Sequence, residues 1–565
     1  MRKLLALLLT LTLLGASVSA LALSAPGELP LITEPETLTI GLQQHALTTD
    51  YENNDMTQLI EQTTGVQLDF VMFPTDANEA KQKLSLMVAA EQTLPDILQL
   101  GLSDIERATY GASGIFIPLN DYLANDAYYW NLAMDTWTEP GKKEEILKYG
   151  TSPDGNLYGY PSYYVDPGDA TALGMWINKT WLDNLGLEVP TTTEELYDVL
   201  CAFRDQDANG NGDAGDEIPL VGHKEWMGNA PQYLMNSFVY DAFAPNFGYQ
   251  FNVTDGKLWA PFVTDAYREG LRYLTKLGKE GLLSPLSFSQ TSNELRAILS
   301  APNDQVSLVG AFVGHPSPIF GVALPEEHGG ADGTVERVKE YMGLPAMIGP
   351  EGIQWSPFSG QMAGYSAYIT SDCANPTLAF RTLDAVALQD ISISMRYGVK
   401  DVDWIYTSEG EVNHRYLEGF HAIYQQTPTT ERPVRWTSEN NTIWHINAFN
   451  MLPPKLFAGL VSAGYNTPLR EYQMLTLWYS TVPLRYFAHP DELAVKLIYT
   501  QEEADGISEI EASLRSYVDE SLARFTLGDM DVEKDWETYL ATLDSIGLEY
   551  YIGIAQQAYD RMNAE

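Results

Sequence analysis

The chain has 565 residues, of which 45% are hydrophobic and 19% are charged, so it is long enough and apolar enough to bury sizeable cores. It carries 76 acidic against 33 basic residues, a formal net charge of -43. A surface this negative repels phosphate backbones, and no basic patch interrupts it. Nucleic-acid binding is therefore the first class of function to be excluded.

The amino terminus has the pattern of a secretory leader. Arg2 and Lys3 precede the apolar run 4–14, and small residues after it allow cleavage behind Ala20 or Ala22. The run is too short to cross a bilayer as a stable helix. We assign residues 1–22 to a signal peptide. No cysteine follows the apolar run, so we expect an extracellular or cell-envelope protein without a lipid anchor.

The first elements alternate between strand and helix. After a lead-in that contains Pro and Glu, we expect ordered structure to begin with a strand at residue 38. The pattern predicts strands over 38–42, 66–71 and 96–100, and helices over 56–64 and 81–91. This β-α-β-α-β order is typical of a parallel sheet with crossover helices.

A second block begins near residue 172. It opens with a strand over 172–177, followed by a helix that ends at Gly186. Thr192 or Thr193 is expected to cap the next helix, with Glu195 in its first turn. The remaining predicted helices cover 264–279, 502–527, 532–546 and 550–562. No repeat and no long flexible linker separates the two blocks.

Catalytic signatures are mostly absent. The sequence has no H-x-x-x-H zinc helix, no G-x-S-x-G elbow and no phosphate-binding loop, and its eight histidines share no ligand-like spacing. Cys201 and Cys373 could form one bridge, but the sequence favours two buried free thiols. A glycoside hydrolase stays open, because the fold and not local spacing places its two carboxylates.

One acidic loop, residues 205–217, has the composition of a calcium site. Asp and Asn alternate there with Gly, which supplies hard oxygen ligands on a tightly turning backbone. Two registers compete, one beginning at Asp205 and one at Asp207. The first uses the EF-hand spacing of Asp205, Asp207, Asn209, Gly210 and Asp216. The second uses Asp207, Asn209, Asn211, Asp213, Asp216 and Glu217.

Aromatic residues make up 11% of the chain, and many of them fall in loops or at strand ends. Flat aromatic rings stack on the apolar faces of sugars, while neighbouring polar side chains bond the hydroxyl groups. As a set they favour a sugar-binding cleft over a metal or nucleotide site. The candidates for contact with a ligand are Tyr163, Tyr164, Trp176, Trp226, Trp355 and Trp436.

Several segments together resemble an extracellular solute-binding protein of the family 1 type, the substrate-binding component of an ABC transporter. The segments that carry the resemblance are Pro95-Asp96-Ile97, Gly114 to Leu123, Asn156 to Pro161, Trp176 to Leu187, Val189 to Phe203, Tyr267 to Leu271, Lys279 to Leu282, Trp536 to Leu540 and Ala558 to Arg561. In this family the acidic loop is similar to a structural calcium site in the register that begins at Asp207. The loop here is one residue longer before Asp216-Glu217.

The resemblance implies an α/β fold of two lobes of the class II periplasmic-binding-protein type, which close over a ligand by a hinge, with extra C-terminal helices. It implies a first lobe from 36–172 and 315–372, and a second lobe from 173–314 and 373–565. The polar loop after the first strand, with Gln44, His45 and Asp50, should bond the ligand, because strand carboxyl ends face the crevice of open sheets.

We therefore expect a monomeric, non-enzymatic protein that captures a small solute and delivers it to the permease subunits of an ABC importer. The aromatic content of the chain favours an oligosaccharide as this solute. A structural Ca²⁺ is the expected cofactor. Two alternatives remain, a secreted glycoside hydrolase with paired carboxylates and a peptide-binding receptor of the same fold. The hydrolase would turn its ligand over, whereas the receptor would only close on it.

Overall fold

The structure is a computed structural model. It describes residues 22–45, 48, 50–164, 174–225, 228–241, 243–244, 248–249, 251–299, 306–314, 340–356, 364–402, 404–406, 423–425, 451–453, 456, 460–462, 493–494 and 496–564. The leader assigned to residues 1–22 falls outside this part of the chain except for its last residue. In the described residues no helix is both long enough and apolar enough to cross a membrane.

The strands of the described residues fall into two main sheets and three smaller ones. They are β1 Glu36–Gln43, β2 Val66–Phe73, β3 Ile97–Gln99, β4 Gly159–Tyr164, β5 Met175–Asn178, β6 Ile218–Val221, β7 Phe243–Ala244, β8 Gly248–Tyr249, β9 Phe251–Thr254, β10 Lys257–Trp259, β11 Val309–Val313, β12 Tyr341–Leu344, β13 Gly364–Ile369, β14 Trp404–Tyr406, β15 Ile423–Gln425, β16 Met451–Leu452, β17 Leu460–Ser462 and β18 Leu493–Ala494.

The helices lie between these strands and at the carboxyl terminus. They are α1 Asp55–Thr64, α2 Ala77–Ala89, α3 Asp104–Ala112, α4 Asn120–Asn125, α5 Tyr128–Trp137, α6 Lys142–Gly150, α7 Lys179–Leu185, α8 Thr193–Asp205, α9 Ala230–Met235, α10 Asp265–Lys279, α11 Ser292–Leu299, α12 Pro376–Val386, α13 Gln389–Tyr397, α14 Gln501–Leu527, α15 Val532–Ile546 and α16 Leu548–Asn563. Short 3₁₀ turns cover Pro261–Val263 and Pro285–Phe288.

The first lobe is built on a six-stranded sheet in the order β16-β4-β13-β3-β1-β2. β1 pairs in parallel with both β2 and β3, as the β-α-β-α-β pattern predicted. β13 runs antiparallel to β3 and to β4, so β4 and β16 run in the same direction as β1. Helices α1, α5, α12 and α13 pack against the sheet and close an apolar core.

The second lobe contains a four-stranded sheet in the order β12-β5-β11-β6. β5 is antiparallel to β11 and β12, whereas β11 and β6 are parallel. A separate and larger core of buried residues surrounds this sheet and includes the inner faces of α8, α10, α14, α15 and α16.

Some segments pair outside the lobes to which the sequence assigned them. β12 lies within the predicted 315–372 part of the first lobe, but it pairs with β5 in the second sheet. β16 lies within 373–565, but it pairs with β4 in the first sheet. Helices α12 and α13 also contribute to the first core, through Leu378 and Ile391 among others. The sequence gives no local signal that a later strand pairs in the sheet of the other lobe, because a strand of two to four residues has too little periodicity to reveal its partner.

Local sequence explains most helix ends. Thr192 and Glu195 form the predicted capping box of α8. The predicted inner stripe of α10 is buried at Leu271, Leu274 and Leu277, while Ala266 is partly buried. Gly278 on the same helix permits close packing, since a Cβ atom there would lie 2.0 Å from the carbonyl oxygen of Thr526 on α14.

Order begins earlier than the sequence predicted. Residues 22–35 pack on the first lobe, and Leu31 and Ile32 are each only 2% exposed. The backbone N–H of Leu31 donates to Thr64 O over 2.8 Å, and Tyr129 Oη donates to Gly27 O over 2.9 Å. The lead-in was expected to be irregular because of its Pro and Glu content, but its few apolar side chains are sufficient to dock it.

Both cysteines are free thiols, which was the favoured interpretation of the sequence. Cys373 is buried in the first core, and Cys201 is partly buried on α8 in the second lobe. Burial raises the pKa of the Cys373 thiol to about 12, so it is protonated and unreactive at neutral pH.

Candidate functional site

The chain leaves the first sheet and enters the second at an edge that carries the carboxyl ends of strands in each sheet. In the first sheet these are the ends of β1, β2, β3, β4 and β16. The chain leaves this edge at Tyr164 and enters the second sheet at Met175, the amino end of β5. Because β5 is antiparallel to its neighbours, that end lies beside the carboxyl ends of β11 and β12. Ligands of open α/β sheets bind outside such edges.

A polar loop extends from the carboxyl end of β1. Gln44 is exposed, and His45 and Asp50 are half-buried. The backbone N–H of His45 donates to Tyr51 Oη over 3.0 Å, and the Tyr51 ring packs at 5.8 Å from that of Phe70. The three predicted polar side chains therefore follow the carboxyl end of β1, and the buried Tyr51 anchors the backbone at His45.

Charge in this loop is set locally. The backbone and side-chain N–H groups of Asn53 donate to the Asp50 carboxylate and lower its pKa, so it stays ionised. Burial lowers the pKa of His45, which keeps its imidazole neutral at neutral pH. The loop thus offers a carboxylate acceptor and a neutral imidazole, a combination suited to hydroxyl groups of an uncharged ligand.

Trp355 lies in the second lobe, in the segment that follows the carboxyl end of β12. Its backbone N–H donates to Asn236 O over 3.2 Å, and its ring is perpendicular to Tyr240 at a centroid distance of 6.3 Å. Gly349 lets this segment approach the body of the lobe, because a Cβ atom there would lie 1.7 Å from Ser237 O. The partly exposed indole is therefore held in a fixed position on the second lobe.

Two of the aromatic residues predicted to contact a ligand, Trp176 and Tyr163, are buried in the cores. Trp176 is 0% exposed, stacks on Phe312 at 6.2 Å and donates its indole N–H to Gly314 O over 3.1 Å. Tyr163 is 4% exposed and lies in the first core. Neither ring has a free face on which a sugar could stack. Both residues lie on short strands buried on both faces, which their position in the sequence did not reveal.

Three other predicted residues cannot be located in the site. Trp226 and Trp436 lie outside the described residues, and the side chain of Tyr164 does as well, although its backbone ends β4. Their role in binding stays a prediction.

The sequence analysis missed a charged residue at the same edge, Asp104, the first residue of α3 just after β3. Its carboxylate lies 2.8 Å from Arg107 Nη2 and 2.8 Å from Lys496 Nζ. A wider rule than the one that selected Gln44, namely a polar residue anywhere in the connection that follows a parallel strand, would also have selected Asp104. Its partner Lys496 is distant in sequence and carries no such signal.

The acidic loop lies away from this edge, between α8 and β6. Asp207 Oδ1 and Oδ2 accept the N–H groups of Asn211 and Gly212 over 3.0 and 2.9 Å. Asn209 Nδ2 and Asn211 Nδ2 both donate to the Asp216 carboxylate, over 2.9 and 2.7 Å. These contacts gather the side chains of the loop around one centre. Within the described residues no three His, Cys, Asp or Glu side chains form a preformed metal cluster.

Two features of the loop distinguish between the registers. Arg204 binds both carboxylate oxygens of Asp205, over 2.7 and 2.8 Å, at the last turn of α8. The Asp205 carboxylate is thus already paired with a guanidinium group, which disfavours the register that begins there. Glu217 accepts the Ala208 N–H with Oε1, but its buried Oε2 has no hydrogen-bond partner among the described residues. Loss of hydration raises the pKa of Glu217, and repulsion from Asp216 adds to this. An orphaned carboxylate oxygen among Asp and Asn side chains fits a hard cation in the Asp207 register.

Two separate α/β lobes, with the chain crossing between them at strand carboxyl ends, have the architecture of a two-lobed solute-binding protein. The description "Bacterial extracellular solute-binding protein" belongs to a family model that matches residues 49–387, more than half of the chain. The chain belongs to this family, as its motifs predicted.

Two curated relatives are similar over long stretches. The fructooligosaccharide ABC transporter substrate-binding protein FusA of Streptococcus pneumoniae serotype 4 is 27% identical over 519 residues, which cover 90% of this chain and 87% of FusA. The polygalacturonan/rhamnogalacturonan-binding protein YtcQ of Bacillus subtilis is 26% identical over 363 residues, which cover 62% of this chain and 63% of YtcQ. Both relatives are named as binding proteins and not as enzymes.

Solved structures confirm the two-lobed fold. An HMO-binding, ABC-transporter-associated solute-binding protein from Bifidobacterium longum infantis superimposes with a TM-score of 0.71 at 20% identity and covers 94% of this chain and 100% of that chain. FusA in complex with kestose gives 0.65 at 23% identity with the same coverage. Similar folds include a FusA EF-hand mutant (0.63, 22% identity, 94% and 100%) and the alginate-binding protein AlgQ2 without calcium ion (0.60, 20% identity, 93% and 98%).

Proposed function

We propose that this protein is the substrate-binding component of an ABC importer and that it captures an oligosaccharide between its lobes. The observation that carries the proposal is the passage of the chain between the carboxyl edges of the two sheets, with a polar loop after β1 at the first edge and a partly exposed tryptophan after β12 at the second. The relative FusA, a fructooligosaccharide-binding protein, supports this class of ligand, and YtcQ, which binds polygalacturonan and rhamnogalacturonan, supports a glycan more broadly.

The chemistry of the described residues fits a neutral sugar. Gln44, His45 and Asp50 supply amide, imidazole and carboxylate groups for hydroxyls, and Trp355 supplies a flat ring for stacking. The negative net charge of the chain disfavours polyanionic glycans by repulsion. No turnover is part of the proposal, since a transport receptor must release its ligand intact to the permease.

The acidic loop is proposed to hold one Ca²⁺ in the Asp207 register. Asp207, Asn209, Asn211, Asp213, Asp216 and Glu217 would supply its oxygen ligands. When bound, the ion would neutralise the carboxylates that crowd this loop and fix the connection between α8 and β6. Among proteins of similar fold, an EF-hand mutant of FusA and AlgQ2 without calcium ion have been solved, which supports calcium as the cation. Export through the leader at 1–22 completes the proposal.

Binding is tested by isothermal titration calorimetry of the mature protein with kestose, longer fructooligosaccharides, neutral β-glucan and arabinan oligomers, and short peptides. We expect saturable binding to a neutral glycan, which chromatography then recovers unhydrolysed. Fragments of the glycan would favour the hydrolase, and binding to peptides alone would contradict the oligosaccharide assignment.

The site is tested with Trp355→Ala and a matched control, Trp259→Ala. Trp259 is also partly buried, but it lies on β10 and bonds only Thr254 Oγ1 among the described residues. Loss of a stacking ring should weaken glycan binding about 10-fold or more, by analogy with other buried aromatic contacts. Equal affinities of the two variants would remove Trp355 from the site.

A further inference from the structure

A buried ion pair joins the two lobes at the carboxyl edge of the first sheet. Lys496 Nζ lies 3.0 Å from Asp104 Oδ1 and 2.8 Å from Asp104 Oδ2. The side chains are 10% and 26% exposed, respectively. The contact is therefore bidentate and largely shielded from water.

The two partners belong to different cores. Asp104 begins α3, directly after β3 of the first sheet. Lys496 follows β18, which pairs with β9, and its neighbours Ala494 and Leu497 belong to the core of the second lobe. A rigid-body separation of the lobes would therefore pull Lys496 away from Asp104.

Asp104 also has a cationic partner within its own lobe, Arg107. Arg107 Nη2 lies 2.8 Å from Asp104 Oδ1, and its guanidinium group lies 4.9 Å from the centre of the Tyr365 ring. Lys496 Nζ lies 5.4 Å from the centre of the same ring. The first lobe thus presents a prepared carboxylate and an aromatic face, and the second lobe supplies the cation.

Charge balance makes the contact selective for one arrangement of the lobes. Burial lowers the pKa of Lys496, and the Asp104 carboxylate opposes this effect. If the lobes met in another register, Lys496 would be buried without a carboxylate, and an unpaired buried charge is strongly unfavourable. Pairs of this kind specify a geometry more reliably than they add stability.

A second polar contact lies between the same two lobes. Lys148 Nζ, at the end of α6, donates to Asn563 Oδ1 on α16 over 2.6 Å. Gly150 at the end of α6 also accepts a hydrogen bond from Arg107 Nη2 over 3.4 Å. One surface formed by α3 and α6 thus receives both the segment at Lys496 and the end of the last helix.

We propose that the Asp104–Lys496 pair is an interlobe latch that favours this arrangement of the lobes. The latch goes beyond the proposed function, because it concerns the equilibrium between lobe arrangements whatever solute is bound. A change in that equilibrium alters ligand affinity in proportion to the fraction of molecules in the binding-competent arrangement.

The test is small-angle X-ray scattering of the ligand-free mature protein and two variants. Lys496→Met should increase the radius of gyration, because the lobes separate more often. Lys81→Met is the matched control, since Lys81 forms a 2.8 Å ion pair with Glu106 on the same helix α3, but entirely within the first lobe. It should leave the scattering curve unchanged. Coincident curves for Lys496→Met and the wild type would overturn the latch.

Further variants keep the test decisive. Lys496→Gln serves if the Met variant does not fold, with the same expected expansion, and Lys496→Arg should retain the wild-type curve. Kestose titration supplies an independent readout that rests on the proposed function, with a several-fold change in affinity for Lys496→Met and none for Lys81→Met. If kestose fails to bind the wild type, the ligand proposal fails for that sugar while the scattering result still decides the latch.

Discussion

In the first lobe the buried carboxylate of Asp384 receives three hydrogen bonds, from the backbone N–H groups of Tyr129 and Trp130 and from Tyr160 Oη, over 2.8, 2.9 and 3.1 Å. In the second lobe, no described residue donates a hydrogen bond to the Asp241 carboxylate, which faces repulsion from Asp519. A buried carboxylate with donors caps a helix, whereas one without donors needs a proton or a cation to be stable. Burial raises the pKa of both carboxyl groups, to about 6 for Asp384 and to about 7 for Asp241, and the donors to Asp384 oppose the rise while Asp241 has the added repulsion from Asp519.

The largest expected effect is at Asp384. Asp384→Ala would leave the first N–H groups of α5 and the Tyr160 hydroxyl buried without an acceptor. Each unsatisfied buried donor costs about 1–3 kcal/mol, so we expect the free energy of unfolding to fall by about 3–4 kcal/mol. Urea unfolding monitored by fluorescence measures this. Asp198→Ala, an exposed residue of α8, is the control and should change it by less than about 0.5 kcal/mol.

A small loss at Asp384 would contradict its assignment as a structural acid. Asp384→Asn refines the result, because the asparagine oxygen can still accept from one of the donors. Its loss should therefore lie between those of the alanine variant and the control.

The contrast also shows how far sequence reasoning reaches. Asp384 lies more than 200 residues from each of its donors, so no local pattern could connect them. The first β-α-β-α-β unit, the cap of α8 and the C-terminal helices depend on neighbouring residues, and the sequence predicted them. The resemblance to a family supplied the two-lobed fold. Long-range contacts such as Asp104–Lys496 depend on how the lobes meet and require the structure.

The same limit applies to the candidate site. Gln44, His45 and Asp50 were predicted from strand order, which fixes the edge at which a loop emerges. Trp176 was predicted from composition, which cannot distinguish a ring that lines a cleft from one that fills a core. Both types of residue are apolar and lie near strand ends, and only burial separates them.

The second prediction concerns calcium binding in the second lobe, at Glu217, whose Oε2 has no hydrogen-bond partner among the described residues. Addition of Ca²⁺ to chelator-treated protein should raise the melting temperature by several degrees, since an ion at 100 times its dissociation constant stabilises by about 2.7 kcal/mol. Differential scanning calorimetry measures the shift. Glu217→Gln should reduce it, because the amide carries no charge to offer the ion.

Asp205→Asn is the matched control for the register. Its carboxylate is bound by Arg204, so we expect the calcium shift to persist in this variant. A persistent shift in Glu217→Gln combined with a lost shift in Asp205→Asn would favour the EF-hand register from Asp205. Identical melting with calcium and with chelator in the wild type would reject the metal site.

Asp241 should respond to pH in the opposite direction from a paired surface acid. Burial raises its pKa to about 7, and repulsion from Asp519 adds to this. The folded state therefore binds more protons than the unfolded state between about pH 4 and pH 7, so the contribution of Asp241 to stability falls as the pH rises through this window. Asp241→Asn removes the charge and should stabilise the protein at pH 8 by about 1 kcal/mol or more.

The pH series supplies the control for that variant. Near pH 4 the folded wild type already carries a proton on Asp241, so the difference between wild type and Asp241→Asn should become small. Melting temperatures measured from pH 4 to pH 8 should therefore diverge with rising pH. Parallel curves would mean that Asp241 titrates normally and that the second lobe does not hold an uncompensated acid.

The smallest expected effect concerns the Asp96 carboxylate of the first lobe, which accepts hydrogen bonds from Thr39. Thr39 on β1 donates its hydroxyl to Asp96 Oδ2 over 2.7 Å and accepts the Asp96 N–H over 2.9 Å, just before β3. Thr39→Val preserves shape but removes both contacts, so we expect a loss of about 1 kcal/mol in urea unfolding. Thr37→Val, at an exposed position of the same strand, should cause almost no loss. Equal losses in the two variants would mean that β propensity, and not the donors to Asp96, accounts for the effect.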